Sequence, residues 1–88
     1  MKIIKFSAVW CNPCKAYHQE FIKAKEHFKD NDSIQFIEYD MDDHSEQFEK
    51  YNIRSIPYTV IEKDDNIIAS HSGTMQSSAL ESLIETHL

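Results

Sequence analysis

The 88-residue chain is predicted to fold as one α/β domain over residues 1–88, a mixed four-stranded sheet with helices on both faces in the order βαβαββα. Two observations carry that prediction. The hydrophobic period switches from strand-like to helix-like at Cys11, and a second strand follows, which makes a βαβ unit with parallel strands. Further on, a β-branched run, a turn and a second short run read as a hairpin, which adds an antiparallel pair to the same sheet.

Taken in order, residues 2–9 (KIIKFSAV) read as a short buried strand. Cys14, Tyr17, Phe21, Ala24 and Phe28 then recur at spacings of three and four, the apolar stripe of an amphipathic helix. Lys15, Gln19, Lys23 and Glu26 fall largely off that stripe. Asp30-Asn31-Asp32-Ser33 ends the helix, and Ile34 to Tyr39 forms the second strand. Asp43 and Glu46 have capping-box spacing for a short second helix, whose Phe48 and Tyr51 face inward. Ile53-Arg54-Ser55-Ile56-Pro57 leads into Thr59-Val60-Ile61; Asp64-Asp65-Asn66 turns the chain, and Ile67 to Ser70 returns. Gly73 marks a break. Ser78 and Glu81 repeat the capping-box spacing, and Leu80, Leu83 and Ile84 give the last helix its apolar face.

Charge narrows the partners. With 15 acidic against 9 basic residues the formal net charge is −6, which repels phosphate backbones and anionic lipid and argues against nucleic acid or membrane as partner. No stretch approaches the roughly 18 apolar residues needed to cross a bilayer. The N-terminal run MKIIKF is broken by Lys5, and a cysteine motif follows at once, so a cytoplasmic location is expected rather than a cleaved leader. Two cysteines three positions apart close too small a loop to staple a fold, and a secreted scaffold of this size would carry more. Reactivity is the better explanation for Cys11 and Cys14.

Trp10-Cys11-Asn12-Pro13-Cys14 lies where the first strand hands over to the first helix. A helix N-terminus offers unpaired N–H groups and the positive end of the macrodipole, both of which favour an anion. A thiolate there has a depressed pKa and is the attacking species. Pro13 suits the first helical turn, where its missing N–H costs nothing. Cys14 sits one turn along on the apolar stripe and is expected to be buried. Cys11 is therefore the nucleophile that forms a mixed disulfide, and Cys14 the thiol that resolves it. A competing reading is a zinc module, because Cys11-x2-Cys14-x3-His18 has ligand spacing. Against it, His27, His44, His71 and His87 are scattered and form no second cluster; His18 is more simply an exposed helix residue.

The strand–WCxxC–helix unit, the segment Tyr51-Asn52-Ile53-Arg54-Ser55-Ile56-Pro57 before a hairpin, and Gly73 before the last helix together resemble the thioredoxin family over nearly the whole chain. The resemblance implies a thioredoxin-like fold and a cis Pro57 packed against the cysteine pair. It also implies an Ile56 backbone that offers its N–H and C=O to an extended substrate strand. Departures are informative. Asn12 replaces the usual glycine of the active-site loop, which bears on the reduction potential. Only ten residues precede Cys11, too few for the extra N-terminal strand and helix of full-length thioredoxins, so the size is that of a glutaredoxin. The Gly-Gly segment with which glutaredoxins hold glutathione is not evident around Gly73-Thr74-Met75.

The family's buried aspartate falls on Lys5 and its partner lysine on Glu38, as if acid and base had exchanged strands. Two readings follow. In one, Lys5 and Glu38 form an ion pair beneath the active site and Glu38, or a water on it, takes the proton of Cys14. In the other, Lys5 snorkels to the surface and Glu38 is solvated. Trp10 is expected on the apolar surface where substrates dock; Tyr58 either shares that surface or simply packs.

The candidate site thus comprises Cys11, Cys14, Pro57, Lys5 and Glu38 for the chemistry, with Trp10, Asn12, Pro13, Ile56, Tyr58 and Gly73 around the substrate and no metal. The expected function is reduction of protein disulfides by a monomer needing no cofactor beyond its own cysteine pair, in cell redox homeostasis and electron transport. A thioredoxin reductase is the expected electron donor, and a ribonucleotide reductase one substrate the resemblance suggests. The alternatives are a glutathione-dependent, glutaredoxin-like reductase, the zinc module, or an interaction domain that keeps its cysteines for another purpose.

Overall fold

In the computed structural model, which describes Met1–Leu88, the central strand is β1 (Lys2–Ser7), flanked by β2 (Gln35–Asp40) and β3 (Tyr58–Lys63), with β4 (Asn66–Ser72) at the far edge. β1 pairs in parallel with β2 and antiparallel with β3, and β3 pairs antiparallel with β4. The order β2-β1-β3-β4 puts the first and third strands inside, and each carries four consecutive buried residues because both faces are covered. Helices α1 (Asn12–His27) and α3 (Ser77–Thr86) cover one face, and α2 (Ser45–Lys50) covers the other. This is the expected fold, with every element in the expected order.

Side-chain alternation along β1 divides the core. Ile3 points to the α1/α3 side, where it meets Tyr17, Phe21, Ala24, Ile61, Leu80 and Ile84. Ile4 and Phe6 point the other way, to Phe48 and Val60. Full burial of each such side chain stabilises by about 1.5–3 kcal/mol. Tyr17 carries a hydroxyl into the first layer, where it pairs with Thr59 Oγ1 at 2.6 Å, and burial pushes the phenol above its ordinary range. On the second layer the Tyr51 hydroxyl donates to Glu62 Oε1 at 2.6 Å, tying the end of α2 to β3. Burial and then the Glu62 carboxylate raise the Tyr51 phenol too.

Turn chemistry matches the sequence. Asp64 and Asp65 both have positive φ, 52° and 64°, as a two-residue hairpin turn requires. Asn52, at φ 54°, closes α2: its N–H donates to Glu49 O at 3.1 Å, and the Ile53 N–H to Phe48 O at 2.9 Å. That is a Schellman ending, with Ile53 and Phe48 in the same apolar cluster.

Three local expectations are corrected. The first strand stops at Ser7 rather than residue 9, because its neighbour β2 ends at Asp40, the partner of Ser7. Ala8, Val9 and Trp10 turn into the helix, and Val9 is 71% exposed instead of buried. The Asp43/Glu46 capping box does not form; His44 occupies the N-cap of α2 without a side-chain bond. Nor does the Ser78/Glu81 box. The N-cap of α3 lies two residues earlier, at Gln76, and the free N–H of Ser77 donates to Glu20 Oε1 of α1 at 3.0 Å.

A carboxylate from one helix therefore caps another. The Ser77 N–H, and next Lys23, hold the Glu20 carboxyl below its ordinary value of 4.5. A group whose folded pKa is lowered stabilises the fold above its unfolded pKa and loses that contribution as pH falls through the folded value. Glu20→Gln is expected to melt below wild type at pH 6 and to converge with it as pH falls through the lowered folded value of Glu20, where both side chains become neutral. A difference that stayed constant over that range would show that charge plays no part in docking α3.

Candidate active site

Cys11 is the N-cap residue of α1, with an extended backbone (φ −92°, ψ 111°). Its carbonyl accepts the Lys15 N–H at 3.2 Å, the first bond of the helix, and its Sγ accepts the Cys14 N–H at 3.3 Å. Pro13 falls in the first turn, as its missing donor favours. A sulfur anion at Cys11 is thus met by a backbone N–H and by the positive end of a 16-residue helix. Cys11 and Cys14 are joined as a disulfide, their Cα atoms 5.2 Å apart. They pack with Ala8 in a small cluster closed by Met41 and Ile56. Exposure differs little in this oxidised state, 7% for Cys11 and 3% for Cys14; the asymmetry between them comes from the helix end and not from depth alone.

The segment before β3 comes up beside the pair. Ile56–Pro57 is a cis peptide bond, and Ile56 reaches the cysteine cluster. Gly73 has φ 94°, a region that suits glycine, and donates its N–H to Pro57 O at 2.8 Å, joining the end of β4 to this loop. Trp10 is 61% exposed and adjoins Val9, so two large apolar side chains flank the cysteine motif in solvent. Asn12 is exposed at the start of the helix. Tyr58 packs against Ile4, Phe6, Phe48 and Val60, with its hydroxyl donating to Ser70 Oγ at 3.2 Å.

Lys5 and Glu38 are directly opposed in the β1/β2 register and so project from the same face of adjacent strands. Lys5 is 2% exposed and does not reach the surface. Its ammonium lies 3.0 Å from Glu38 Oε1 and 5.2 Å from the centre of the Phe21 ring. Burying an ammonium in this apolar layer demands such a partner. Glu38 itself is 41% exposed, so the pair runs from the core out to a cleft.

His18, read from the sequence as an exposed helix residue, has a side chain 42% exposed and in addition joins the pair. Its Nδ1 is 2.6 Å from Lys5 Nζ and 3.3 Å from Glu38 Oε1, which makes the pair a trio. The signal was in the sequence. Cys14-x3-His18 is one helical turn, which places both side chains on one face, but the spacing suggested metal ligation rather than a polar floor. In this oxidised structure His18 Nδ1 faces an ammonium and Cys11 and Cys14 are bonded to each other. No group of three or more His, Cys, Asp or Glu side chains has the disposition to hold a metal ion.

The chain as a whole is similar to known proteins. A family model described as thioredoxin matches residues 1–86. The thioredoxin of Mycoplasma genitalium is 42% identical over 59 residues, 67% of this chain and 55% of that protein, so the match spans little more than half of that relative. The thioredoxin of Coprinus comatus is 36% identical over 86 residues, which takes in 98% of this chain and 79% of that one. Among solved structures, Plasmodium falciparum thioredoxin is similar with a TM-score of 0.84 at 32% identity, covering 99% of this chain and 81% of its own.

Proposed function

The chain belongs to the thioredoxin family, and on that premise we propose that it is a thiol–disulfide oxidoreductase that reduces protein disulfides. The observation that carries the reading is Cys11 at the N-cap of α1, its Sγ receiving a backbone N–H. The Cys11 thiolate attacks one sulfur of a substrate disulfide; a mixed disulfide forms and one substrate thiolate leaves. Cys14, as thiolate, then attacks Cys11 Sγ. The Cys11–Cys14 bond forms, the mixed disulfide breaks, and the second substrate thiolate departs. Two electrons pass to the substrate, and the cysteine pair carries them without a resident cofactor.

The surroundings are consistent with a protein substrate. Trp10 and Val9 offer exposed apolar area, and the loop whose Ile56 packs on the cysteine pair, tied to Gly73 through Pro57 O, would offer backbone to an extended strand. Asn12 and Pro13 shape the helix start that holds the thiolate. Lys5 and Glu38 set the charge beneath Cys14 and govern where its proton goes. Electrons return from a thioredoxin reductase, the protein works as a monomer in a reducing cytoplasm, and a ribonucleotide reductase is among its substrates. No observation favours a glutathione-dependent route.

Equilibrating the Cys11–Cys14 pair against glutathione buffers tests the direction of flow. A potential near about −270 mV, that of thioredoxin, is expected for a reductant. A value near about −120 mV would make the protein an oxidant and overturn the proposed direction. Thiols that formed no disulfide at all would overturn the oxidoreductase reading itself.

A further inference from the structure

Cys14 and His18 both face a cleft of about 430 Å³ that opens beside the cysteine pair. Lys5 from β1 and Glu38 from β2 form part of its wall. The three charged or titratable heads meet at a single atom. His18 Nδ1 has a donor, the Lys5 ammonium, at 2.6 Å and an acceptor, Glu38 Oε1, at 3.3 Å. An ammonium has donors only, so while Lys5 is charged the neutral ring must present the Nδ1 lone pair to it and carry its hydrogen on Nε2. If the ring gains a proton, that proton sits on Nδ1 and finds Glu38 Oε1 already within reach. Both protonation states of the imidazole are hydrogen-bonded without moving the backbone.

The cost of the protonated state is electrostatic, since an imidazolium then adjoins an ammonium, with one carboxylate between two cations. An anion in the same cleft offsets that cost, and the reaction supplies one there, the thiolate of Cys14. The other ionisable groups lining the cleft are placed differently. Lys15 is an exposed residue of α1. Asp40 Oδ2 accepts the Asp42 N–H at 3.0 Å, and His44 Nδ1 accepts the Asp40 N–H at 3.4 Å. The Tyr39 ring turns to the opposite face against Phe6 and His44. Among imidazole, carboxylate and ammonium, imidazole ordinarily changes charge closest to neutrality, and its range lies nearest below that of a thiol.

We propose that His18 is the proton acceptor for Cys14 in the resolving step, with Lys5 and Glu38 as the positioning pair that makes Nδ1 the receiving atom. The proton leaves Cys14 Sγ and ends on Nδ1, whose hydrogen bond switches from Lys5 to Glu38. The Cys14 thiolate then displaces the substrate sulfur from Cys11, and the departing thiolate is reprotonated as the ring returns to neutral. Net charge in the cleft is unchanged by the transfer. The exchanged strand positions of Lys5 and Glu38 thereby acquire a purpose: the buried member is a cation, which cannot take a proton, and its carboxylate partner receives the hydrogen bond of the protonated ring. The proposal rests on Cys14 being the resolving thiol.

An aromatic disulfide reagent mixed with the reduced chain separates the two questions. Release of the first thionitrobenzoate reports attack by Cys11, and release of the second reports resolution by Cys14. Wild type is expected to show both phases, the second with a pH inflection that belongs to the group receiving the proton. His18→Asn retains an acceptor for Lys5 but does not titrate. It should leave the first phase within about twofold, slow the second roughly 10- to 100-fold at pH 7 and erase its inflection; His18→Gln serves as the second variant. An unchanged second phase in either folded variant would overturn the proposal, as would an inflection that survives His18→Gln and vanishes in Glu38→Gln. Absence of any second phase in wild type would instead sink the resolving role of Cys14. Independently of any His18 variant, NMR titration of the His18 ring should show it holding its proton to higher pH in the reduced chain than in Cys14→Ser; identical titrations would refute the coupling.

Discussion

Cys11→Ser is expected to abolish disulfide reduction, a fall on the order of 10⁴-fold or more, as when the nucleophile of a covalent mechanism is removed. The reason is local. A hydroxyl at the N-cap still accepts the Cys14 N–H and preserves the helix start, so the fold survives while the polarisable, readily ionised sulfur is gone. Cys14→Ser should behave differently. It keeps the N-cap thiolate, reacts with substrate at a rate close to wild type, and stalls as a mixed disulfide that mass spectrometry of the intact chain detects as an adduct on Cys11. Turnover of a disulfide-bonded protein substrate, followed beside that adduct, distinguishes the roles. An adduct that accumulated on Cys14 in Cys11→Ser, with activity retained, would reverse the assignment.

Phe21→Ala is expected to destabilise the protein by about 3–5 kcal/mol, the range for truncating a buried Phe. That is a large part of the roughly 5–15 kcal/mol available to a domain. Phe21 is fully buried on the inner face of α1, edge-on to Phe36 with ring centres 5.4 Å apart and 6.1 Å from the Tyr17 ring. It is also the aromatic face nearest the Lys5 ammonium. Truncation therefore opens a cavity between α1 and the sheet and removes a neighbour of the one buried ammonium in that layer. Urea unfolding should show the midpoint falling by roughly 2 M. Ile22, next in sequence but on the outward face, is the control: Ile22→Ala should cost about 0.5 kcal/mol or less. Equal losses at the two positions would contradict the facing of the helix.

Much of this site was legible in the sequence because its information is local. The change of period at Cys11 marks a strand-to-helix junction, and a cysteine at a helix N-terminus has its electrostatics decided by backbone within one turn. Pro13, the Asp64-Asp65 turn and the apolar stripe through Phe21 are likewise readable from spacing. The cis Pro57 was expected through resemblance alone; no spacing within the chain distinguishes it from a strand-edge proline. The two capping boxes failed for a physical reason. A spacing of three offers a cap, but α3 took its acceptor from Glu20, 57 residues away, once the two helices were packed together.

What the sequence determined by itself, then, is the order of elements, the reactive pair and the asymmetry between its two sulfurs. All three depend on periodicity and on groups a turn apart. Tertiary structure decided which charges meet. Lys5 could have reached for water, and only the register of β1 against β2, with Phe21 closing the layer above, leaves its ammonium no course but Glu38 and His18. Those contacts join three separate elements across 13 and 33 positions of chain, and no local pattern encodes a partner that packing alone brings within reach.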